Sequence, residues 1–395
     1  MGRAGFNLLH VQYPLEAALQ DGAGCGLGDD YEFVLRVPEH GPNHKDLVVE
    51  FLGGGGCWNY TTCNATTIGW QGQETTRYWM SQNLLAPTKA QFGASLTMCR
   101  FPLLGGGIRD FCKEENPYRT WTYLSLSYCT GDQHLGNNIA TYSDGNGNNM
   151  VVRHLGAVNV DSVLTWARQL FPDLQRIHVI GESAGGWATF AWARQVAHRW
   201  PQARVAGWSD SALHLLCPSP VCHQALPMVD DSWNAINHLV APPSSQLLTA
   251  DAIRKPGWSL ADLMVEALEE LGGRLTFGVF TRSADAYQRL YWSLFGGHSF
   301  EWTSGMVALV NEMERRLPPS LLRTYVVSGS DHCIHRSDDL WTLQQGGVRF
   351  IHWLGNLSSC SVPAGSARVW DPAVGSEATY VGDASCNIQR CGGHG

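Results

Sequence analysis

The chain has 395 residues, of which 44% are hydrophobic and 16% charged, and its 27 Lys and Arg face 35 Asp and Glu for a formal net charge of -8. It is long enough to bury a sizeable core, and it has no basic run that would follow a phosphate backbone, which argues against a nucleic-acid partner. No stretch approaches the roughly eighteen consecutive apolar residues of a membrane span.

Twelve cysteines are more than a reducing compartment favours. Several stand in close pairs that suit short disulfide loops, and no matched pair of C-x-x-C motifs predicts a structural zinc site. The disulfide candidates are Cys57 with Cys63, Cys99 with Cys112, Cys217 with Cys222, and Cys386 with Cys391. Glycosylation sequons begin at Asn59, Asn64 and Asn356. Together these features predict a secreted or extracellular glycoprotein, although the first residues lack the apolar core of a signal peptide.

Short strand-like runs alternate with helical or irregular stretches along the chain. The run at residues 31–37 predicts an outer strand, and residues 68–107 predict a long excursion over the active-site face. This order predicts an α/β fold with a doubly wound, mostly parallel sheet. We expect one domain over residues 1–395, with an N-terminal extension at 1–30 and a Cys- and Gly-rich tail at 356–395 packed on it. The other predicted strands are 47–52, 121–128, 177–180, 205–210, 275–280 and 323–327.

Four consecutive glycines, residues 53–56, follow the buried strand at 47–52 directly. They could form a flexible linker, a phosphate loop or an oxyanion loop. A phosphate loop would continue to Gly-Lys-Ser or Gly-Lys-Thr, which is absent, and a linker is seldom followed by Cys57, Trp58 and a second cysteine. Consecutive glycines let backbone N–H groups approach a substrate closely, so an oxyanion loop is the favoured interpretation.

The segment Gly181-Glu-Ser-Ala-Gly185 fits the G-x-S-x-G pattern, in which a tight strand-to-helix turn lifts a serine hydroxyl clear of the sheet. Side chains at 181 and 185 would collide with the neighbouring strand and helix. Apolar residues at helical spacing in 160–171 precede the strand at 177–180, which is the context that this turn requires. The alternative is that Ser183 only caps the following helix.

A nucleophilic serine needs a base to take its proton, and in this scaffold the order along the chain is Ser, then Asp or Glu, then His. Among the histidines after Ser183, only His332 follows a strand-like run through a small-residue loop. His335 is its nearest rival, and a surface loop histidine is the other alternative.

The acid that would orient His332 has several candidates. Asp285 comes just after the strand at 275–280, where the carboxyl end of a parallel strand reaches the active-site edge. It could instead cap a helix over 287–294. Asp331 adjoins His332 and would face another way, whereas Asp210 is expected to line or support the pocket. Asp285 is therefore the predicted acid.

These motifs resemble the pectin acetylesterases and the related Notum-like carboxylesterases, which have the α/β-hydrolase fold. The resemblance covers about residues 53–332, and five motifs in the family's order carry it. They are Phe51-Leu-Gly-Gly-Gly-Gly-Cys-Trp-Asn59 with Cys63, Asn116-Pro117 with Trp121 and Tyr128-Cys-Thr-Gly-Asp132, Gly181-Glu-Ser-Ala-Gly-Gly186, Ala284-Asp-Ala-Tyr-Gln288, and Gly329-Ser-Asp-His332.

The resemblance implies that Ser183 is the nucleophile, Asp285 the orienting acid and His332 the base. It implies an oxyanion hole made by the backbone N–H groups of Gly55, Gly56 and Ala184, and a disulfide between Cys57 and Cys63. This chain departs from the plant enzymes in having Gly56-Cys57-Trp58 where they have Trp-Cys, and Glu182 where they have a small residue or Cys.

The resulting prediction is a serine carboxylesterase that releases an acyl group, acetate in the first instance, from a small-molecule or polysaccharide ester such as pectin, without a cofactor or metal. One alternative is a lipid or aryl carboxylesterase or a Notum-like deacylase, and another is a catalytically silent glycan-binding pseudoenzyme. Tryptophan rings suit sugar faces, and Trp58, Trp70 and Trp302 are the predicted pocket residues, although most tryptophans are expected in the core. The oligomeric state is not predicted.

Overall fold

A computed structural model of the chain describes residues 6–12, 22–38, 45–64, 106–213, 230–236, 250–254, 258–357 and 368–374. Its strands, in chain order, are β1 (Phe6–Gln12), β2 (Glu32–Pro38), β3 (Asp46–Phe51), β4 (Thr122–Leu126), β5 (Asn138–Ser143), β6 (Asn149–His154), β7 (Arg176–Glu182), β8 (Arg204–Asp210), β9 (Leu275–Arg282), β10 (Leu322–Val327), β11 (Gln344–Gln345), β12 (Val348–Arg349) and β13 (Arg368–Trp370).

The helices are α1 (Tyr60–Cys63), α2 (Gly156–Leu170), α3 (Ala184–Arg199), α4 (Ala250–Ile253), α5 (Leu260–Leu271), α6 (Ala286–Leu294), α7 (Trp302–Arg316), α8 (Asp339–Thr342) and α9 (Phe350–Gly355). Short 3₁₀ turns occupy Gly107–Arg109, Gly272–Arg274 and Ser299–Glu301. None of these helices is both long enough and apolar enough to cross a membrane.

Nine of these strands form one sheet in the order β1-β2-β4-β3-β7-β8-β9-β10-β13. The pairs β1–β2 and β2–β4 are antiparallel, and every pair from β4 to β13 is parallel. The carboxyl ends of β3, β7, β8, β9 and β10 therefore meet at one edge. This mostly parallel sheet confirms the predicted α/β architecture, and strand β2, predicted as an outer strand, lies second from the edge.

Alternate side chains of the strands enter two hydrophobic cores, one on each face of the sheet, because successive strand residues point to opposite sides. In β3, Leu47 and Val49 belong to the first core and Val48 to the second. Helices α2, α3, α5 and α7 cover the first face, whereas α8 and α9 cover the second. Both faces are thus buried, as the apolar composition of the central strands predicts.

Two segments outside the predicted strands add to the sheet. The N-terminal extension contributes β1, which pairs with β2, and the tail contributes β13, which pairs with β10 over three residues. Sequence patterning missed both because edge strands need not bury two faces and carry little periodicity. The polar run at 143–149 is the turn of the β5–β6 hairpin, whose strands were also not predicted.

Candidate active site

Ser183 lies at the turn between β7 and α3, with φ 51° and ψ -121°. Residues other than glycine rarely adopt this left-handed region, and such strain is typical of functional turns. The Ser183 N–H donates to the carbonyl of Asp210 at 2.8 Å, which ties the turn to the end of β8. The Ser183 side chain makes no capping hydrogen bond to α3 and is partly exposed. The helix-cap alternative therefore has no support in the structure.

The glycines around Ser183 are required by close backbone contacts. A Cβ at Gly181 would lie 2.2 Å from the carbonyl oxygen of Gly185, and a Cβ at Gly185 would lie 2.1 Å from that of Phe51. A Cβ at Gly53 would stand 3.1 Å from the Cβ of Ser183. The elbow can thus form only with glycines, and the glycine loop runs directly against the serine.

Asp285 and His332 are joined by a buried hydrogen bond. His332 Nδ1 lies 2.9 Å from Oδ1 and 2.8 Å from Oδ2 of Asp285, which is fully buried. The same carboxylate accepts backbone N–H groups of Tyr287 and Gln288 at 3.0 and 2.9 Å, so it also caps α6. Both interpretations of Asp285 describe the structure: the helix start holds the carboxylate rigidly, and the carboxylate orients the imidazole.

The rival histidine belongs to a different pair. His335 Nε2 lies 2.6 Å from Oε1 of Glu50, and neither side chain is exposed. Asp331, the rival acid, is half-buried beside His332. The acid that is hydrogen-bonded to Nδ1 of His332 is Asp285. Of the two histidines in this loop, only His332 is bound to Asp285 at the edge where Ser183 stands.

The surroundings of His332 favour its charged form. Burial lowers the pKa of His332, but the carboxylates of Asp285, Asp210 and Glu182 together outweigh this effect, so that the pKa lies above the ordinary value of 6.5. Burial raises the pKa of Asp210 itself to about 6. The carboxylates around His332 thus stabilise an imidazolium, the form that a histidine base acquires when it takes a proton.

Two tyrosines contact the glycine loop. Tyr128 Oη donates to the carbonyl of Gly55 at 2.6 Å, and the Gly56 N–H donates to Tyr291 Oη at 2.8 Å. Gly55 has φ +77°, and a Cβ there would overlap Tyr291 Oη at 2.3 Å, so glycine is required. The Tyr291 oxygen thus stands at hydrogen-bonding distance from one of the predicted oxyanion donors.

The predicted oxyanion donor Ala184 is the first residue of α3, the helix that begins directly after Ser183. The positive end of a helix dipole lies at such an N-terminus and favours negative charge beside it. The oxyanion roles of Gly55, Gly56 and Ala184 remain predictions.

The end of the glycine loop is fixed by a disulfide and by aromatic rings. Cys57 and Cys63 form the disulfide expected from their spacing, which links the loop to α1. Trp58 is 6% exposed and stacks on Phe295 with ring centroids 4.9 Å apart. Trp233 Nε1 donates to the Cys57 carbonyl at 2.6 Å. These contacts hold the end of the loop in place. The role of Trp58 in a substrate pocket remains a prediction.

His154 lies close to the Cys57–Cys63 disulfide, and the three side chains form the one possible metal-ligand group among the described residues, with ligand atoms within 4.8 Å of one another. The two sulfurs are bonded to each other and are not thiolates, the form that ligates metals. This donor set therefore does not fit a resident metal.

Two further residues of the predicted site are buried. Trp302 is 2% exposed in the first core, where α7 begins, and Asp210 is fully buried beneath the site. Cys112 is disulfide-bonded, and its partner lies outside the described residues. Also outside them are Trp70, Cys99, Cys217, Cys222, Cys386 and Cys391.

A buried ionic network beneath the site was not predicted from the sequence. Glu50 Oε1 accepts Arg109 Nε at 2.7 Å, its Oε2 accepts the Ser125 hydroxyl at 2.6 Å, and Glu182 pairs with Arg336. The Arg109 guanidinium, aided by His335 and Ser125, overcomes the effect of burial and lowers the pKa of Glu50 far below its usual range. A lone acid inside the apolar run at 47–52 was the signal available, since a buried charge requires a partner.

A second feature missed in the sequence is the disulfide between Cys25 and Cys129. The two cysteines are 104 positions apart, so their spacing gave no indication of the bond. It attaches the segment before β2 to the segment after β4.

The doubly covered, mostly parallel sheet with a strand-to-helix serine elbow defines an α/β-hydrolase. The chain belongs to the pectinacetylesterase family, whose model matches residues 9–235. It is therefore a member of an esterase family. The Wnt deacylase Notum from Drosophila has a similar solved structure, with a TM-score of 0.61 and 16% identity over 93% of this chain and 97% of that one. At that identity the likeness concerns the fold. No curated protein sequence matches the chain significantly.

Proposed function

We propose that the protein is a serine esterase in which Ser183 attacks an ester carbonyl, His332 is the base and Asp285 orients it. The observation that carries this proposal is the buried Asp285–His332 hydrogen bond, at 2.8 to 2.9 Å, at the sheet edge that holds the strained Ser183 turn. Membership of an esterase family supports the same chemistry.

The reaction proceeds in two balanced steps. Ser183 Oγ bonds to the carbonyl carbon while His332 Nε2 takes the hydroxyl proton, and that proton then passes to the alkoxide as the ester C–O bond breaks. Water repeats the sequence on the acyl-enzyme and frees the acid. The negative oxygen of each tetrahedral intermediate is held by the N–H groups of Gly55, Gly56 and Ala184, and it replaces the Tyr291 hydroxyl at Gly56.

The substrate is an acetyl or similarly short acyl ester on a polysaccharide such as pectin. Bulky rings next to the glycine loop support a small acyl group: a Cβ at Gly56 would stand 3.2 Å from the Trp233 ring, and Tyr291 lies over Gly55. The Cys25–Cys129 and Cys57–Cys63 disulfides support an extracellular site of action.

A fluorophosphonate probe tests the nucleophile directly. The probe phosphonylates an activated serine as its P–F bond breaks and fluoride leaves, so wild-type protein should be labelled on Ser183 and Ser183→Ala should not. Ser162, which is buried on α2, offers a matched control, and Ser162→Ala should be labelled as the wild type is. Absence of labelling in the wild type, or equal labelling of Ser183→Ala, would contradict the proposal and favour a glycan-binding protein without catalysis.

A substrate panel tests the acyl group and the alcohol. We expect direct acetate release from acetylated pectin, and faster hydrolysis of p-nitrophenyl acetate than of the octanoate and palmitate esters. A preference for palmitate would instead identify a lipid deacylase or carboxylesterase. Activity on aryl acetates without any on acetylated glycans would contradict the polysaccharide assignment while leaving the serine mechanism intact.

A further inference from the structure

Glu182, the residue directly before Ser183, carries a buried charge. Its carboxylate pairs with the guanidinium of Arg336, and the two side chains are 3% and 5% exposed. Arg336 lies four positions after His332 in the loop that follows β10. The ion pair thus joins the segment of the nucleophile to the segment of the base, without either partner being a member of the Ser183, His332 and Asp285 set.

Asp210 makes a second link between the same two segments. Its Oδ2 accepts the backbone N–H groups of Ile334 and His335 at 2.8 and 2.7 Å, and its carbonyl accepts the N–H of Ser183 at 2.8 Å. Asp210 therefore fixes the path of the loop, whereas the Glu182–Arg336 pair adds two full charges beside it.

The charges that face His332 come from several elements. Asp285 binds its Nδ1, Tyr287 at the start of α6 packs on its ring with centroids 4.7 Å apart, and Asp210 and Glu182 act on it from the ends of β8 and β7. Its own loop adds Arg336 and His335, and His335 is bound to Glu50.

Within this set Arg336 is the counter-charge of Glu182. Removing the Glu182 charge leaves an uncompensated cation and disfavours a second positive charge on His332. Removing the Arg336 charge leaves the Glu182 carboxylate without the cation that it pairs with, which favours a positive charge on His332.

We infer that Glu182 and Arg336 are positioning residues for His332, holding its loop against the serine elbow and balancing the charge around its ring. This inference rests on the proposed function, because it assigns the pair a part in the action of the same site. Neither residue contacts the ester. Their effect passes through the position and the proton affinity of the imidazole.

The test compares Glu182→Gln and Arg336→Gln, because a charge effect moves the two variants in opposite directions. The pKa of His332 should be lower than that of the wild type in Glu182→Gln and higher in Arg336→Gln. Histidine labelled with ¹³C at Cε1 reports this pKa by NMR in the full-length protein, with His332→Ala used to assign the signal. The acid limb of kcat/KM should move in the same order.

A purely structural pair would lower the stability of both variants and leave the His332 pKa unmoved or moved in one direction, which would overturn the inference. Arg194→Gln is the control, since it breaks a mostly buried pair with Glu270, 2.6 Å apart, on α3 about 16 Å beyond Ser183. It should leave the His332 titration unchanged.

Two conservative variants keep the inference testable if a single charge removal prevents folding. Glu182→Asp and Arg336→Lys retain the charges but change the reach, so they should keep the His332 pKa, lower kcat and leave KM unchanged. An unchanged kcat in both would overturn the inference. Fluorophosphonate labelling of the wild type is read separately: if it fails, the proposed function fails, whereas the NMR titration still decides the charge coupling.

Discussion

Two histidines in one loop, three positions apart, are each bound to a buried carboxylate but are held in different ways. His332 turns its Nδ1 towards Asp285 and is 8% exposed, whereas His335 turns its Nε2 towards Glu50 and is completely buried. His335 also stacks on Trp208, with ring centroids 5.0 Å apart and planes 15° from parallel.

The nitrogen that faces the acid distinguishes the two pairs. A histidine held through Nδ1 directs Nε2 away from its acid, which is the geometry of a base that serves a serine. A histidine held through Nε2 has used that atom for structure. The His335–Glu50 pair, with Arg109, joins the loop after β10 to β3 and to the 3₁₀ turn at Gly107–Arg109. Residue type and sequence neighbourhood are alike in the two cases, but the ring nitrogen that faces the carboxylate differs.

The largest expected effect separates the two histidines by activity. His332→Gln should lower kcat/KM by about 10⁴-fold or more, because the proposed base is lost, with little change in the unfolding midpoint. His335→Gln should lower the midpoint more than it lowers activity. Esterase assays and thermal unfolding on both variants check this, and a larger activity loss in His335→Gln would reverse the assignment.

The second prediction concerns Asp285, the acid that is hydrogen-bonded to His332. Asp285→Asn should lower kcat by roughly 10³- to 10⁴-fold, because an amide cannot hold the Nδ1–H tautomer as the carboxylate does. Asparagine caps helices as well as aspartate does, so α6 should remain intact and the protein should stay folded. Circular dichroism alongside kinetics tests both parts. A loss of folding with kcat retained per folded molecule would assign Asp285 to capping alone.

The third prediction concerns Glu50, the acid that is hydrogen-bonded to His335. Glu50→Gln removes the carboxylate that binds the buried guanidinium of Arg109, which should lower the free energy of unfolding by about 3 to 5 kcal/mol. The labelling rate of Ser183 in the folded protein should fall much less than in Asp285→Asn. Urea unfolding and probe kinetics measure the two quantities. If Glu50→Gln were as stable as the wild type, the contacts of Glu50 with Arg109 and His335 would not be what holds the loop after β10.

The smallest expected effect concerns Tyr291, whose hydroxyl oxygen accepts a hydrogen bond from the Gly56 N–H. Tyr291→Phe keeps the ring and removes the competing oxygen, so the fluorophosphonate labelling rate should rise by about 2- to 10-fold, the equivalent of one modest hydrogen bond. Tyr128→Phe is the comparison variant, because that hydroxyl supports the Gly55 carbonyl and its loss should slow labelling. A slower rate in Tyr291→Phe would mean that the hydroxyl assists the oxyanion instead.

Local patterns predicted the central strands and the site candidates at their ends. The run at 177–180 followed by a G-x-S-x-G segment predicted the elbow, and the strand at 275–280 predicted where Asp285 lies. Edge strands β1 and β13 escaped prediction because an edge strand need not bury both faces and so needs no strong hydrophobic period. The Glu182–Arg336 pair was not predicted because its two residues are far apart in the chain. No local sequence pattern indicates which arginine pairs with a buried acid.

The sequence by itself determined the α/β order of elements and the glycines that the elbow and loop require, since both follow from local sterics and side-chain periodicity. Only the tertiary structure decided which nitrogen of each histidine meets which carboxylate, and that Asp285 both caps α6 and binds His332. The physical reason is that hydrogen bonding between distant segments depends on ångström-scale placement. The parallel sheet imposes that placement by bringing the ends of β3, β7, β8, β9 and β10 to one edge.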